Sequence, residues 1–296
     1  MSADREGEPE AAREPWSGVR VGTSGWSYED WVGPFYPEGT APRDYLGLYA
    51  ERFSAVEVDS TFYAVPARST FEGWAARTPE GFLFAPKVPG NVTHGTKGER
   101  ADPAKVLLDE GGHLDLFLER ASILGSKLGV VLFQFPYFRV KELSLGDFLP
   151  RLERTLAKVP RGVRAAVEVR NKGWITKEYL SILEAHTAAA VLIDHPYMPD
   201  PGAQVDMGMV TCDVAYVRLL GDRHAIERKT TRWGAVVEEK GARLGKWADA
   251  IAAIAARPHT RSVLVFSNNH FAGHAPASSR ELLLRLTALG PAPGPR

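Results

Sequence analysis

The chain of 296 residues carries 36 Lys and Arg against 36 Asp and Glu, so its formal net charge is zero and no global field draws it to nucleic acid or to an anionic membrane. Its one cysteine, Cys212, rules out an intramolecular disulfide, and no apolar run reaches the roughly 18 residues that span a bilayer. The start is acidic and lacks the basic and apolar segments of a signal peptide, so a cytoplasmic protein is expected.

Residues 1–17 are mostly Glu, Ala, Arg and Pro and have little to bury, and residues 291–296 form a Pro/Gly tail. Both ends are expected to be disordered or flexible, with a single domain over residues 18–290. Within it, short β-branched or aromatic runs recur at 19–23, 55–58, 82–87, 129–134, 164–169, 190–194, 214–218 and 262–266. Between most of them lie segments with apolar residues three and four apart, such as Leu114, Phe117, Leu118 and Ala121, or Trp247, Ile251 and Ile254, the pattern of amphipathic helices. Strand and helix in alternation predict βαβ units and a parallel sheet. Eight repeats predict a (β/α)8 TIM barrel, an α/β fold whose functional residues gather at the C-terminal ends of the strands.

Two connections break the pattern. Pro196, Pro199 and Pro201 after the sixth run predict an irregular crossover. The polar stretch 222–240, with Arg223, Arg228, Lys229, Arg232 and Trp233, reads as a lid, a binding loop or disorder.

The strand ends supply the candidate site. After the first run come Trp26, Tyr28, Trp31, Phe35 and Tyr36, either a stacking wall or a small core of their own. The second run holds Glu57 and Asp59 on one strand face, followed by Phe62 and Tyr63. Two neighbouring carboxylates push one pKa up, which suits a general acid, unless a cation lies between them. Lys87 after the third run is such a cation, and a structural Glu57–Lys87 ion pair is the competing reading. Gln134 ends the fourth run. Glu168 and Arg170 end the fifth, with Trp174 close behind. Asp194 ends the sixth and Arg218 the seventh, and Asn268 and Asn269 follow the eighth. Glu57, Glu168 and Lys87 are the candidate catalytic groups. Trp26, Tyr28, Asp59, Phe62, Tyr63, Gln134, Arg170, Trp174, Asp194, Arg218, Asn268 and Asn269 are candidate substrate-binding residues. Cys212 reads as a small buried residue and His94 as a loop histidine.

Taken together, Gly-Thr-Ser-Gly-Trp-Ser-Tyr from Gly22, Val-Glu-Val-Asp-Ser-Thr-Phe-Tyr from Val56, Phe-Gln-Phe-Pro from Phe133, Val-Glu-Val-Arg from Val167, Tyr-Val-Arg-Leu-Leu-Gly from Tyr216 and Asn-Asn-His from Asn268 resemble the YecE-like family, domain of unknown function 72. The resemblance runs from Val19 to about Leu289 and implies a TIM barrel, with no substrate attached. The chain departs from that pattern at Asp59, where Asn is more usual, and at Leu220, where His is common.

Four functions follow from these residues. A carboxylate-dependent acid/base enzyme, hydrolase-like or lyase-like, would act on a polar or anionic small molecule. A divalent-metal enzyme would draw on Glu57, Glu168, Asp194 and His195 or His270, but no His-x-His or His-Glu-x-x-His pair is present and the neighbouring cations would compete with the metal. Phosphate or nucleic-acid recognition would use Lys87, Arg170 and Arg218, against the neutral net charge. A silent binding barrel is the fourth. The absence of a Walker or dinucleotide fingerprint and of a Gly-x-Ser-x-Gly elbow leaves no cofactor evident. The acid/base enzyme is the favoured expectation.

Overall fold

The computed structural model describes Trp16, residues 18–98 and residues 100–290; apart from Trp16, the two expected tails lie outside the described residues. The eight apolar runs form β1 (Val19–Ser24), β2 (Ala55–Val58), β3 (Leu83–Pro86), β4 (Val131–Gln134), β5 (Ala165–Glu168), β6 (Ala189–Asp194), β7 (Val214–Leu219) and β8 (Ser262–Ser267). All pair in parallel, in the order β3-β2-β1-β8-β7-β6-β5-β4. Each strand leads to one principal helix: α1 (Tyr45–Ala50), α2 (Arg68–Ala76), α3 (His113–Ala121), α4 (Leu145–Leu156), α5 (Lys177–Ala185), α6 (Pro201–Asp206), α7 (Gly241–Ala255) and α8 (Ala275–Ala288). The result is a (β/α)8 barrel. Its seam lies between β3 and β4, where Gly129 N–H donates to the Phe84 carbonyl (2.9 Å) and Val88 N–H to that of Leu132 (2.8 Å). Only isolated bridges join the two strands there, and Pro86 brings no N–H to a ladder.

Period-two alternation divides each strand between two cores. Val56, Val58, Phe133, Val167, Leu192, Val217 and Val265 pack outward against the helices. Ala55, Ala85, Leu132, Ala166, Ile193, Tyr216 and Phe266 fill the barrel, small alanines leaving room for Tyr216 and Phe266, whose ring centroids are 5.2 Å apart. One step further along the inward files the chemistry turns polar. Glu57 follows Ala55, Lys87 follows Ala85, Gln134 follows Leu132, Glu168 follows Ala166, His195 follows Ile193 and Arg218 follows Tyr216, each two residues on.

The crossover after β6 is irregular only as far as Asp200. Pro201 then opens the six-residue α6 as its first residue, where a missing N–H costs no hydrogen bond. The 222–240 connection is neither detached nor unstructured. Trp233 N–H donates to Asp30 Oδ2 (2.9 Å), and Val237 N–H to the Ala272 carbonyl (2.8 Å). Gly273, at φ +106°, lets that loop pass so close that a Cβ would lie 2.6 Å from the Ala235 carbonyl oxygen. The aromatics after β1 resolve largely into the core between barrel and helices. Trp31, Phe35 and Tyr36 are buried, and Tyr36 stacks on Tyr45 at 4.6 Å. Cys212 is half-buried, its thiol donating to the Val214 carbonyl (3.2 Å), and burial pushes the thiol pKa up.

Trp16 is the one described residue of the tail expected over residues 1–17. It is only 4% exposed, and its Nε1–H donates to the Leu286 carbonyl on α8 (2.9 Å), so this residue is packed on the last helix. Trp16→Ala should cost about 3–5 kcal/mol through the cavity it leaves, read as a lower urea midpoint at unchanged slope. A midpoint equal to that of the unsubstituted protein would show that this contact contributes nothing.

Candidate functional site

The site rests on a charged layer that closes the top of the barrel interior. Glu57 on β2 and Glu168 on β5 are both 0% exposed, and Arg218 on β7 lies between them. Its Nε and Nη2 donate to Oε2 and Oε1 of Glu57 (2.8 and 2.6 Å), and its Nη1 donates to Oε2 of Glu168 (2.5 Å). Tyr216 adds its hydroxyl to Glu57 Oε2 (2.7 Å), and Arg170 Nε reaches Glu168 Oε1 (3.1 Å). The planar fork of arginine suits this two-sided arrangement, which a lysine could not reproduce.

The carboxyls are driven apart in pKa. Burial pushes Glu57 up against the pull of Arg218, and the Asp59 charge adds to the push. Burial would also raise Glu168, but Arg218 and then Arg170, with Lys87 behind them, hold it below the usual carboxylate value. Arg218 itself is held well above the ordinary arginine value: burial alone would lower it, and the charges of Glu168 and Glu57 outweigh that.

The cation expected beside Glu57 was Lys87. Lys87 instead sits 3.6 Å from Asp59 Oδ1 and 4.7 Å above the centre of the Phe62 ring, a cation–π contact.

Above this layer opens a cavity of about 490 Å³. Ten of the residues expected at the site line it: Tyr28, Asp59, Phe62, Tyr63, Lys87, Gln134, Arg170, Arg218, Asn268 and Asn269. The others lie elsewhere. Glu57 and Glu168 are sealed beneath it. Trp26 packs edge-on against Trp74 (5.6 Å). Trp174 is 4% exposed, stacked on Phe138 (5.9 Å) and tilted against Phe148 (4.6 Å), so it is core. Asp194 has the outward parity of Ala190 and Leu192 and accepts from Trp247 Nε1 and Arg243 Nε of α7 (2.5 Å each).

His195, expected only as a possible metal ligand, and Arg223 and Trp233, expected only within a lid or binding loop, also line the cavity. Strand parity would have found His195, which continues the file of Val191 and Ile193. Leu220 lines the cavity as well, so both departures from the expected pattern, Asp59 and Leu220, face the same space.

Three histidines reach the cavity. Burial first, then the Lys87 and Arg170 charges, pushes His94 down to about 4. His195 is lowered by burial and Arg170, and its Nδ1 accepts from Tyr197 N–H (3.3 Å), so in the neutral ring Nε2 carries the hydrogen. His270 is lowered chiefly by burial. Its Nδ1 lies 2.8 Å from Asn268 Oδ1 and its Nε2 3.2 Å from Glu227 Oε1. Among the described residues, no three His, Cys, Asp or Glu side chains come together as a metal ligand set, and no helix is long and apolar enough to cross a membrane.

Comparison with known proteins accords with this fold. The chain is 30% identical over 184 residues to UPF0759 protein YunF of Bacillus subtilis, covering 60% of this chain and 61% of that one. It is 28% identical over 160 residues to UPF0759 protein YecE of Escherichia coli K12, covering 54% and 51%. The alignments thus span only about half to three-fifths of these relatives. A solved DUF72 family protein from Thermotoga maritima superposes with a TM-score of 0.64 at 27% identity, covering 92% of this chain and 99% of that one. One from Enterococcus faecalis gives 0.67 at 19% identity, covering 91% and 95%, a likeness of fold. The family model described as Protein of unknown function DUF72 matches residues 20–295, and with that match over nearly the whole barrel the chain belongs to the DUF72 family.

Proposed function

We propose that the cavity is the active site of an enzyme that binds a small anionic, polar molecule and acts on it by acid–base chemistry. The observation that supports this reading most is a separation of charge by depth. Lys87, Arg170 and Arg218 reach the cavity from the ends of β3, β5 and β7, while the carboxylates of Glu57 and Glu168 are sealed beneath it. A solute entering beside β5 and β7 meets the Arg170 and Arg218 guanidiniums held in place from behind, an arrangement that stabilises negative charge without reorganisation, while Lys87 is paired with Asp59 within the cavity wall.

In this reading Glu57 and Glu168 are positioning residues. Their oxygens are taken up by Arg218, Tyr216 and Arg170, so they fix the guanidinium and do not meet the solute. Proton transfer falls to groups that line the cavity: Lys87 with its partner Asp59, and the histidines His94 and His195. Burial keeps both rings neutral near pH 7, so each meets the solute as a hydrogen-bonding group and takes up a proton only once a bound anion raises its pKa.

Thermal denaturation with phosphate, small carboxylates and neutral sugars tests the reading. An anion at about a hundred times its dissociation constant should add roughly 2.7 kcal/mol of stability, and Arg170→Gln should remove that gain. Stabilisation by neutral sugars alone, or a gain unchanged in Arg170→Gln, would sink the proposal.

The buried layer makes a second prediction. Arg218→Met should cost about 3–5 kcal/mol by stranding two carboxylates, and adding Glu57→Gln and Glu168→Gln should recover part of the loss. A triple variant less stable than the single one would contradict this account.

His94 predicts a pH dependence. Its folded pKa of about 4 lies below the unfolded value of about 6.5, so between those values the unfolded chain binds a proton that the native state refuses. Stability therefore rises with pH through that window, is complete above it and is lost toward pH 4, an effect of about 3 kcal/mol. His94→Gln should flatten the profile of unfolding free energy from pH 4.5 to 7; an unchanged slope would assign the dependence to other groups.

A further inference from the structure

We infer that the ligand is a hydroxylated anion, with its charged group toward Arg170 on the β5 side of the cavity and its hydroxyls toward Asp59 and Asn269 on the β8–β2 side. The inference rests on the anion-binding reading above and adds a second, independent observation, which concerns hydrogen-bonding capacity and not net charge.

Asn269 follows β8 in the short helical turn Asn269–Ala272 and is 3% exposed. Its amide orientation is set by one bond: Oδ1 accepts from Ala275 N–H at the start of α8 (3.0 Å). That leaves Nδ2 as the donor, buried on a residue that lines the cavity and without an acceptor among the described residues. Across β1, at the end of β2, Asp59 presents the complementary case. Its Oδ1 is buried with no hydrogen-bond donor among the described residues, and Lys87 Nζ, at 3.6 Å, lies in ion-pair range but beyond hydrogen-bond length. A buried donor or acceptor left unmade is costly, so such atoms mark where a ligand gains most.

The pair discriminates between ligand groups. A carboxylate or phosphate oxygen would satisfy Asn269 Nδ2 but be repelled by Asp59. An ammonium would satisfy Asp59 and leave Nδ2 unmade. One hydroxyl donating at Asp59 and another accepting at Asn269 serve both without bringing a like charge to Asp59, so a polyhydroxylated ligand suits the two positions. The anionic end then falls toward Arg170 on the β5 side, with Lys87, 3.6 Å from Asp59, between the two ends. Arg170 is the better placed of the two cations, because Asp59 already shares Lys87. A site built to hydrogen-bond hydroxyls rejects analogues that lack them, since its polar atoms are then left unpaired.

Isothermal titration with matched probes tests this: glycerol 3-phosphate against propyl phosphate, and gluconate against hexanoate. In each pair the charge is the same and only the hydroxyls differ, and the two pairs distinguish a phosphate end from a carboxylate end. At least one hydroxylated member should bind on the order of tenfold more tightly than its partner, a difference of about 1.4 kcal/mol. Asp59→Ala should erase most of that preference while leaving propyl phosphate or hexanoate bound as tightly or more so, because a negative charge beside Lys87 has gone. Asn269→Asp, which keeps the Oδ1 acceptor for Ala275 and removes the donor, should also narrow the preference. Equal binding within both pairs, with anion binding still lost in Arg170→Gln, would overturn the inference and leave the anion site standing. Binding of neutral polyols in the absence of any anion binding would overturn both. The comparison of probes on the unsubstituted protein decides the matter even if a variant fails to fold.

Discussion

The guanidinium of Arg218, held between Glu57 and Glu168, fixes the top of the barrel. Three strands that are not neighbours, β2, β5 and β7, are joined across the interior by hydrogen bonds of 2.5 to 2.8 Å. A buried group of one cation and two carboxylates is no more stable than well-packed apolar residues would be, because desolvation offsets the Coulombic gain. Its presence is therefore better explained by what it holds in place. Below it the interior is Ala, Leu, Ile and Phe; above it is a polar cavity. The layer is the boundary between a core and a site, and Arg218 belongs to both.

Much of this was legible in the sequence. All eight strands and most of the helices between them follow from apolar periodicity, α6 after the proline-rich crossover excepted, because a barrel strand buried on both faces leaves an unbroken β-branched run. The polar residues at strand ends were equally visible, and most of them line one cavity. The failures come from parity and from competition for partners. Asp194 and His195 are adjacent in sequence, and strand alternation sends the first out to Trp247 and Arg243 and the second in to the cavity. The spacing of Val191 and Ile193, both inward-facing, carries that distinction. The pairing of Glu57 was not available. Lys87 and Arg218 are both inward-facing cations, and choosing between them requires the distance across the barrel, which sequence separation does not carry.

Aromatic residues were the least legible class. Tyr28, Trp31 and Trp174 look alike in a list of strand-end residues, yet only Tyr28 lines the cavity, while Trp31 and Trp174 are buried in separate aromatic clusters. An aromatic ring gains from any apolar surroundings, so its type says little about which surface it covers. Trp16 shows the same limit from the other side: an isolated tryptophan in a polar segment was read with that segment, although its large apolar area and single donor find a place on α8.

The seam between β3 and β4 bears on how the site behaves mechanically. A barrel with a full ladder between every pair of strands is a continuous hoop, and a load at one point is shared by all of it. Here the hoop is joined at one place by isolated bridges, and local opening is easiest where the fewest backbone hydrogen bonds must break. The two strands that meet there deliver Lys87 and Gln134 to the cavity. The Arg218 clamp ties β2, β5 and β7 but neither strand of the seam. The cavity thus has a floor tied across three strands and one wall where the ladder is reduced to isolated bridges, so of its sides the β3–β4 joint is the one with the fewest backbone bonds to resist spreading.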